Sequence, residues 1–214
     1  TNAQTYNGTG WTSVNVMNTA RTNMAGNGPQ TAALGAGGVP VSTATETFDG
    51  TDWTTSPATL GTGRSGAGGA GSSSAFLLFG GSIPATSNIT EEFNVTAMTV
   101  TAGTWASGEN MILARSQVAG AGTQTAAICF GGGNNDYQKA ETETYDGSAW
   151  TEGPDLNAGR TKMGGFGTAT AAVGCGGFGA PNSTATVANN EEYDGSSWSE
   201  VTNLNTARQG ASAA

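Results

Sequence analysis

Short apolar runs recur along the chain, each followed by a pair of glycines: Ala32-Ala33-Leu34, Ala75-Phe76-Leu77-Leu78-Phe79, Ala126-Ala127-Ile128-Cys129-Phe130 and Ala171-Ala172-Val173. The pairs are Gly37-Gly38, Gly80-Gly81, Gly131-Gly132 and Gly176-Gly177, and each begins sixteen residues after an Arg. Runs this short read as buried strands, and glycine gives them a sharp exit. Ahead of each run lies a Gly/Ala-rich segment with Gly five and seven positions after the Arg, which suits a strand in a crowded centre. Polar turns such as Ser72-Ser73 and Thr123-Gln124 join the two. A third strand carries Tyr or Phe. Asn7-Gly8, Asp49-Gly50, Asp146-Gly147 and Asp194-Gly195 then read as tight hairpin turns leading to a fourth strand that starts at Trp. No stretch has the 3.6-residue period of an amphipathic helix.

These elements repeat. Trp11, Trp53, Trp105, Trp150 and Trp198 are 42, 52, 45 and 48 residues apart. Tyr6, Phe48, Tyr145 and Tyr193 precede their Trp by five, whereas Phe93 precedes Trp105 by twelve, an insertion of seven. An Arg follows each Trp by ten or eleven: Arg21, Arg64, Arg115, Arg160 and Arg208. Antiparallel four-stranded units at this period predict an all-β fold, a β-propeller. Four units are complete. Residues 1–20 hold only the third and fourth strands of another, and Arg208–Ala214 opens a first strand and stops. About five units are therefore expected within one propeller domain over 1–214, the fifth split between the termini. The alternative is that this stretch is a fragment of a longer repeat protein. The terminal segments are expected to share a sheet, or to have their edges covered by residues or a chain outside this sequence. Each repeat Trp is expected to be largely buried between units.

The double glycine, the aromatic-and-Trp pair and the Arg before the first strand resemble the kelch repeat family across the whole chain, with a shorter aromatic-to-Trp gap than is usual there. The resemblance implies a binding module, since kelch propellers serve mostly in binding and a few are enzymes. The galactose oxidase activity does not carry over, because its copper site needs His and this chain has none. The wording of "GTQTAAICFGG" and "EEYDGSSWSE" is similar to kelch-like arrays in tail-fibre and other structural proteins of marine phages. This implies a virion or extracellular location, with a host-surface glycan or protein, or other virion proteins, as partners. A homo-oligomer is compatible with it. An extracellular carbohydrate-binding or adhesion propeller of a bacterium is the alternative. A glycosidase-like enzyme using paired carboxylates and Tyr145 or Tyr193 is the third reading.

Composition narrows the chemistry. With 35 Gly and 11% charged residues in 214, the chain is far from average usage, yet five Trp, seven Phe and four Tyr argue against disorder. The lack of His removes serine triads and His-ligated metals. A net charge of −9 disfavours nucleic acid, and no apolar run has the length of a membrane span. No cofactor, metal site or catalytic residue is expected. Cys129 and Cys175 fall on opposite faces of their strands, against a disulfide.

Five Arg in one repeat position keep a fixed register with an acid or amide two residues before each repeat aromatic: Glu46, Glu91, Glu143 and Glu191, with Gln4 in the fifth place. They predict either a structural ladder of forked ion pairs or a cationic ring that grips an anion at the channel mouth. The loops between second and third strands leave 9, 11, 12 and 15 residues between glycine pair and aromatic, and they share the face on which the Arg lie. The longest make Asn134, Asn135, Asp136, Tyr137 and Asn182 candidate binding residues beside the five Arg. Gly61–Gly66 spells GxGxxG without a helix to follow, so it reads as a blade junction.

Overall fold

A computed structural model describes residues 3–83, 85–95, 103–134, 137–179 and 185–210. An N-terminal hairpin, β1 (Ala3–Tyr6) and β2 (Trp11–Val14), comes first. The first blade is β3 (Ala25–Asn27), β4 (Ala33–Ala36), β5 (Thr45–Phe48) and β6 (Trp53–Thr55). The second is β7 (Gly68–Gly71), β8 (Ala75–Phe79), β11 (Thr90–Asn94) and β12 (Thr104–Ser107), with a small hairpin β9 (Ser82–Ile83) and β10 (Ala85–Thr86) between β8 and β11. The third is β13 (Ala119–Thr123), β14 (Ala126–Phe130), β17 (Thr142–Tyr145) and β18 (Trp150–Gly153), with the hairpin β15 (Gly133–Asn134) and β16 (Tyr137–Gln138) in the same loop position. The fourth is β20 (Gly164–Thr168), β21 (Ala171–Cys175), β23 (Asn190–Tyr193) and β24 (Trp198–Val201), and beside it β19 (Arg160–Thr161) pairs with β22 (Phe178–Gly179). Each blade is a sequential antiparallel meander, and no helix occurs among the described residues.

The innermost strands lie side by side, β13 between β7 and β20 and β3 beside β7. They surround a cavity of about 130 Å³ lined largely by Gly and Ala of all four blades. A side chain does not fit where they meet. A Cβ on Gly120 would lie 2.6 Å from the Phe79 ring, and one on Gly165 would lie 2.9 Å from the Gly120 carbonyl.

Three apolar cores fill the spaces between consecutive blades. Phe79 and Leu77 of the second blade meet Ala127, Cys129, Tyr145 and Trp150 of the third. Ile128 and Phe130 of the third likewise meet Tyr193 and Trp198 of the fourth. Phe79 and Trp150 rings are 5.1 Å apart, and Phe130 and Trp198 rings 4.7 Å. Trp150 and Trp198 are buried, and Trp53 and Trp105 are half-buried. Trp11 corrects the expectation of general burial: it is 68% exposed, since among the described residues no blade lies on the outer side of its hairpin to receive it. The terminal segments do not share a sheet among the described residues, where β1 pairs only with β2. Cys129 and Cys175 are both free thiols.

Candidate functional site

The Arg–Glu register is a set of buried forks. Arg21, Arg64, Arg115 and Arg160 reach Glu46, Glu91, Glu143 and Glu191 at 2.8, 2.7, 2.7 and 2.6 Å. Arg115 also donates to the carbonyls of Gly131 and Glu141, and Arg21 and Arg160 do the same at the matching positions. Each carboxylate accepts, besides the Arg, a main-chain N–H three residues before that Arg: Asn18, Gly61, Ile112 or Asn157. One ion pair thus ties the blade's third strand to the entry of its first. Arg64 differs. It donates to Glu91 and the Thr62 carbonyl but not to its own glycine pair, and burial holds its guanidinium below the usual Arg range against the pull of Glu91.

These four Arg are at most 5% exposed, so they form no open cationic ring. The Nε–H of each, and Nη2 of Arg64, has no partner, but these groups are buried out of reach of an anion arriving from water. Arg208 is the exception: its side chain is exposed and, among the described residues, donates to the Thr206 carbonyl without meeting a carboxylate.

A second ring lies at the mouth of the central cavity. Asn23, Gly66, Gln117, Lys162 and Gly210 each stand two residues after an Arg, and all have left-handed backbone with φ between 53° and 63°. Each of the first four hands its carbonyl to the next: Gly66 N–H to Asn23 O, Gln117 N–H to Gly66 O, Lys162 N–H to Gln117 O and Gly210 N–H to Lys162 O, at 2.6 to 3.1 Å. Left-handed Asn is tolerable and Gly is free, but Gln117 and Lys162 are strained there. This ring escaped the sequence reading because five positions carry four residue types. The common offset from Arg was the only available signal. Lys162 Nζ sits 5.2 Å from the Phe178 ring centre.

The loops between second and third strands do share this face. Thr22 bridges Val39, Ser65 bridges Ser82, Ser116 bridges Gly133, and Arg160-Thr161 pairs with Phe178-Gly179. In every blade the residue after the Arg is therefore fastened to the residue after the glycine pair. Asn134 lies in β15 and Tyr137 in β16, while Asn135, Asp136 and Asn182 lie outside the described residues.

An acidic cavity of about 330 Å³ opens beside the third blade, lined by Glu141, Glu143, Glu152 and Asp155 with Ile112 and Leu113. Glu143 in it is held by Arg115, and Glu141 by Lys139 at 3.3 Å. No group of three or more ligating side chains is placed to hold a metal among the described residues. Tyr145 donates to Glu92 of the preceding blade at 2.7 Å, and burial together with that carboxylate pushes its hydroxyl well above the ordinary tyrosine range.

No family model matches the chain, and no curated protein matches it. Among solved structures it is similar to that of YjhT, a propeller, with a TM-score of 0.72 over 92% of this chain and 69% of that one. The two are 13% identical, a likeness that shows fold alone. The protein is a β-propeller, with four antiparallel four-stranded blades among its described residues.

Proposed function

We propose that this is a kelch-like, non-enzymatic propeller that serves as a structural or receptor-binding part of a phage virion appendage, such as a tail fibre. The observation that carries the non-enzymatic reading is the use of the repeated ionisable groups. Four Arg and four Glu neutralise each other inside the blades. Tyr145, the candidate nucleophile, is held in its protonated form by burial and Glu92, which makes it a poor one. What varies between blades is the length of the loops on the ring face, where a rigid scaffold presents binding residues. The Thr/Gly/Ala-rich wording of the repeats supports the virion setting.

Antibody raised against the chain should label tail appendages of phage particles in immunogold electron microscopy. Labelling of bacterial envelopes alone would replace the virion reading with an adhesion propeller. Recombinant chain should bind bacterial surface glycans or proteins through the loop at 133–140 and lose binding when that loop is shortened to the length found in the first blade. Turnover of glycoside substrates would overturn the non-enzymatic part.

A further inference from the structure

The two ends of the blade row carry the two halves of one inter-blade junction. At the closed junctions, the indole N–H of each Trp donates to a threonine hydroxyl of the preceding blade: Trp105 to Thr45, Trp150 to Thr90 and Trp198 to Thr142, at 3.1 to 3.2 Å. Each Thr stands one residue before its repeat Glu. At the second-to-third junction Tyr145 also donates to Glu92. The receiving face there is Ala70, Leu77, Phe79, Thr90 and Glu92.

The fourth blade presents the matching positions with no neighbouring blade over them among the described residues: Phe166, Val173, Cys175, Asn190 and Glu192. Phe166 is 37% exposed, whereas its counterpart Ala70 is fully buried. Val173 and Cys175 are half-buried where Leu77 and Phe79 are 0% exposed. Asn190 Oδ1, in the place of the accepting threonine oxygen, is buried and bonded to nothing. At the other end, Tyr6 and Trp11 are 46% and 68% exposed, with rings 5.1 Å apart as in the buried pair Tyr145–Trp150. The indole N–H of Trp11 is a donor to give, and the Tyr6 hydroxyl, now donating to the Gly8 carbonyl at 2.9 Å, is a second that can turn. The fourth blade has two acceptors in the matching places, the buried amide oxygen of Asn190 and the exposed carboxylate of Glu192. In one chain they do not cover each other.

We infer that the outer face of the fourth blade is a docking surface for the N-terminal hairpin of a second copy of this chain. Trp11 of one copy donates to Asn190 Oδ1 of the other and packs on Cys175, while the Tyr6 hydroxyl exchanges its bond to the Gly8 carbonyl for one to Glu192. The contact is head to tail, so it propagates into rings or filaments rather than closing a two-fold dimer. It needs only the junction already seen three times within the chain, and it stands independently of the virion reading.

The test is mass measurement by sedimentation on the chain and two variants. Trp11→Ala removes the head, and Phe166→Asp with Glu192→Lys blocks the tail. All three residues are solvent-accessible, and circular dichroism checks that each variant folds. Wild type is expected to form concentration-dependent oligomers. Each variant alone should self-associate more than about tenfold more weakly, since both halves of the contact are central aromatic or charged anchors. An equimolar mixture of the two variants should form a one-to-one dimer, because one retains an intact head and the other an intact tail. A wild type that stays monomeric at all concentrations overturns the inference, as do oligomers indifferent to both variants. A mixture that fails to pair while both variants are folded also overturns it.

Discussion

Trp198 and Trp11 occupy the same position of the repeat in different units, each beside a tyrosine at nearly the same ring separation, 5.2 and 5.1 Å. One is 6% exposed and the other 68%. Arg115 and Arg208 make a second such pair. The Arg208 carbonyl accepts from Gly177 as the Arg115 carbonyl does from Gly81, so both main chains are docked alike. Only Arg115 finds a carboxylate. The strand pattern within a unit is local, whereas the value of its side chains lies in the neighbouring unit. Repeat proteins owe much of their stability to such nearest-neighbour interfaces.

The largest break in the comparison is expected from Trp→Ala. Trp198→Ala empties a space between Phe130, Tyr193 and Leu156 and should cost about 3–5 kcal/mol in urea unfolding. Trp11→Ala in monomeric protein should cost under about 0.5 kcal/mol, as for an exposed surface substitution. Equal losses would mean that Trp11 is buried in solution.

Next in size is the fork. Arg115→Lys keeps the charge near Glu143 but cannot also reach the carbonyls of Gly131 and Glu141, and should cost about 1–3 kcal/mol through unsatisfied buried acceptors. Arg208→Lys, with a single main-chain contact, should leave the unfolding midpoint unchanged. Arg64→Lys should fall between them, since Arg64 lacks the glycine-pair contact.

The elements of each blade were legible in the chain because their signals are short-range: an apolar run, a glycine pair, an Asp-Gly turn. Gly50, Gly147 and Gly195 have φ near +100° in the four-residue loops that join each aromatic to its Trp, a conformation only glycine adopts freely. The Arg–Glu pairing was legible too, because its two members keep a fixed offset in four units. Which of the two roles the Arg play was not, since burial depends on what packs against the next blade. The threonine that receives each Trp was visible as Thr45, Thr90 and Thr142, one residue before the Glu, but a polar residue in a Thr-rich chain draws no notice without the fold. Trp11 was misjudged for the same physical reason: an aromatic at a core position is buried only when a neighbour arrives.

That missing threonine makes a smaller, opposite test. The position before Gln4 is Ala3, and the indole N–H of Trp53, which would look to it, is buried with no partner. Ala3→Thr should supply the acceptor found at the other three junctions and raise stability by about 1 kcal/mol, the typical net worth of a hydrogen bond. Thr142→Val should do the reverse to Trp198 and cost about 1–3 kcal/mol by stranding a buried donor. If Ala3→Thr destabilises the fold, the hairpin is not seated on the first blade as the blades are seated on each other.

The smallest effect separates the turns. Asp194 accepts from the Ser196 hydroxyl and from the main-chain N–H groups of Ser196 and Ser197, and these bonds hold its carboxyl down at about 2, against an ordinary 3.8. A carboxyl depressed by folding lends stability that is complete above its unfolded value and disappears as pH falls through the folded one. The contribution of this turn should therefore fade between about pH 4 and 2. Asn7 makes the same turn in the N-terminal hairpin, accepting from the N–H groups of Thr9 and Gly10 at 3.0 and 2.9 Å. An amide does not titrate, so that hairpin should keep its turn over the same range. Carboxyl titration followed by NMR should place Asp194 near 2, and Asp194→Asn should flatten that part of the stability profile. A midpoint for Asp194 near 3.8 would mean that the turn bonds are not formed in solution, and the two hairpins would then differ in their turns as well as in what covers their tryptophans.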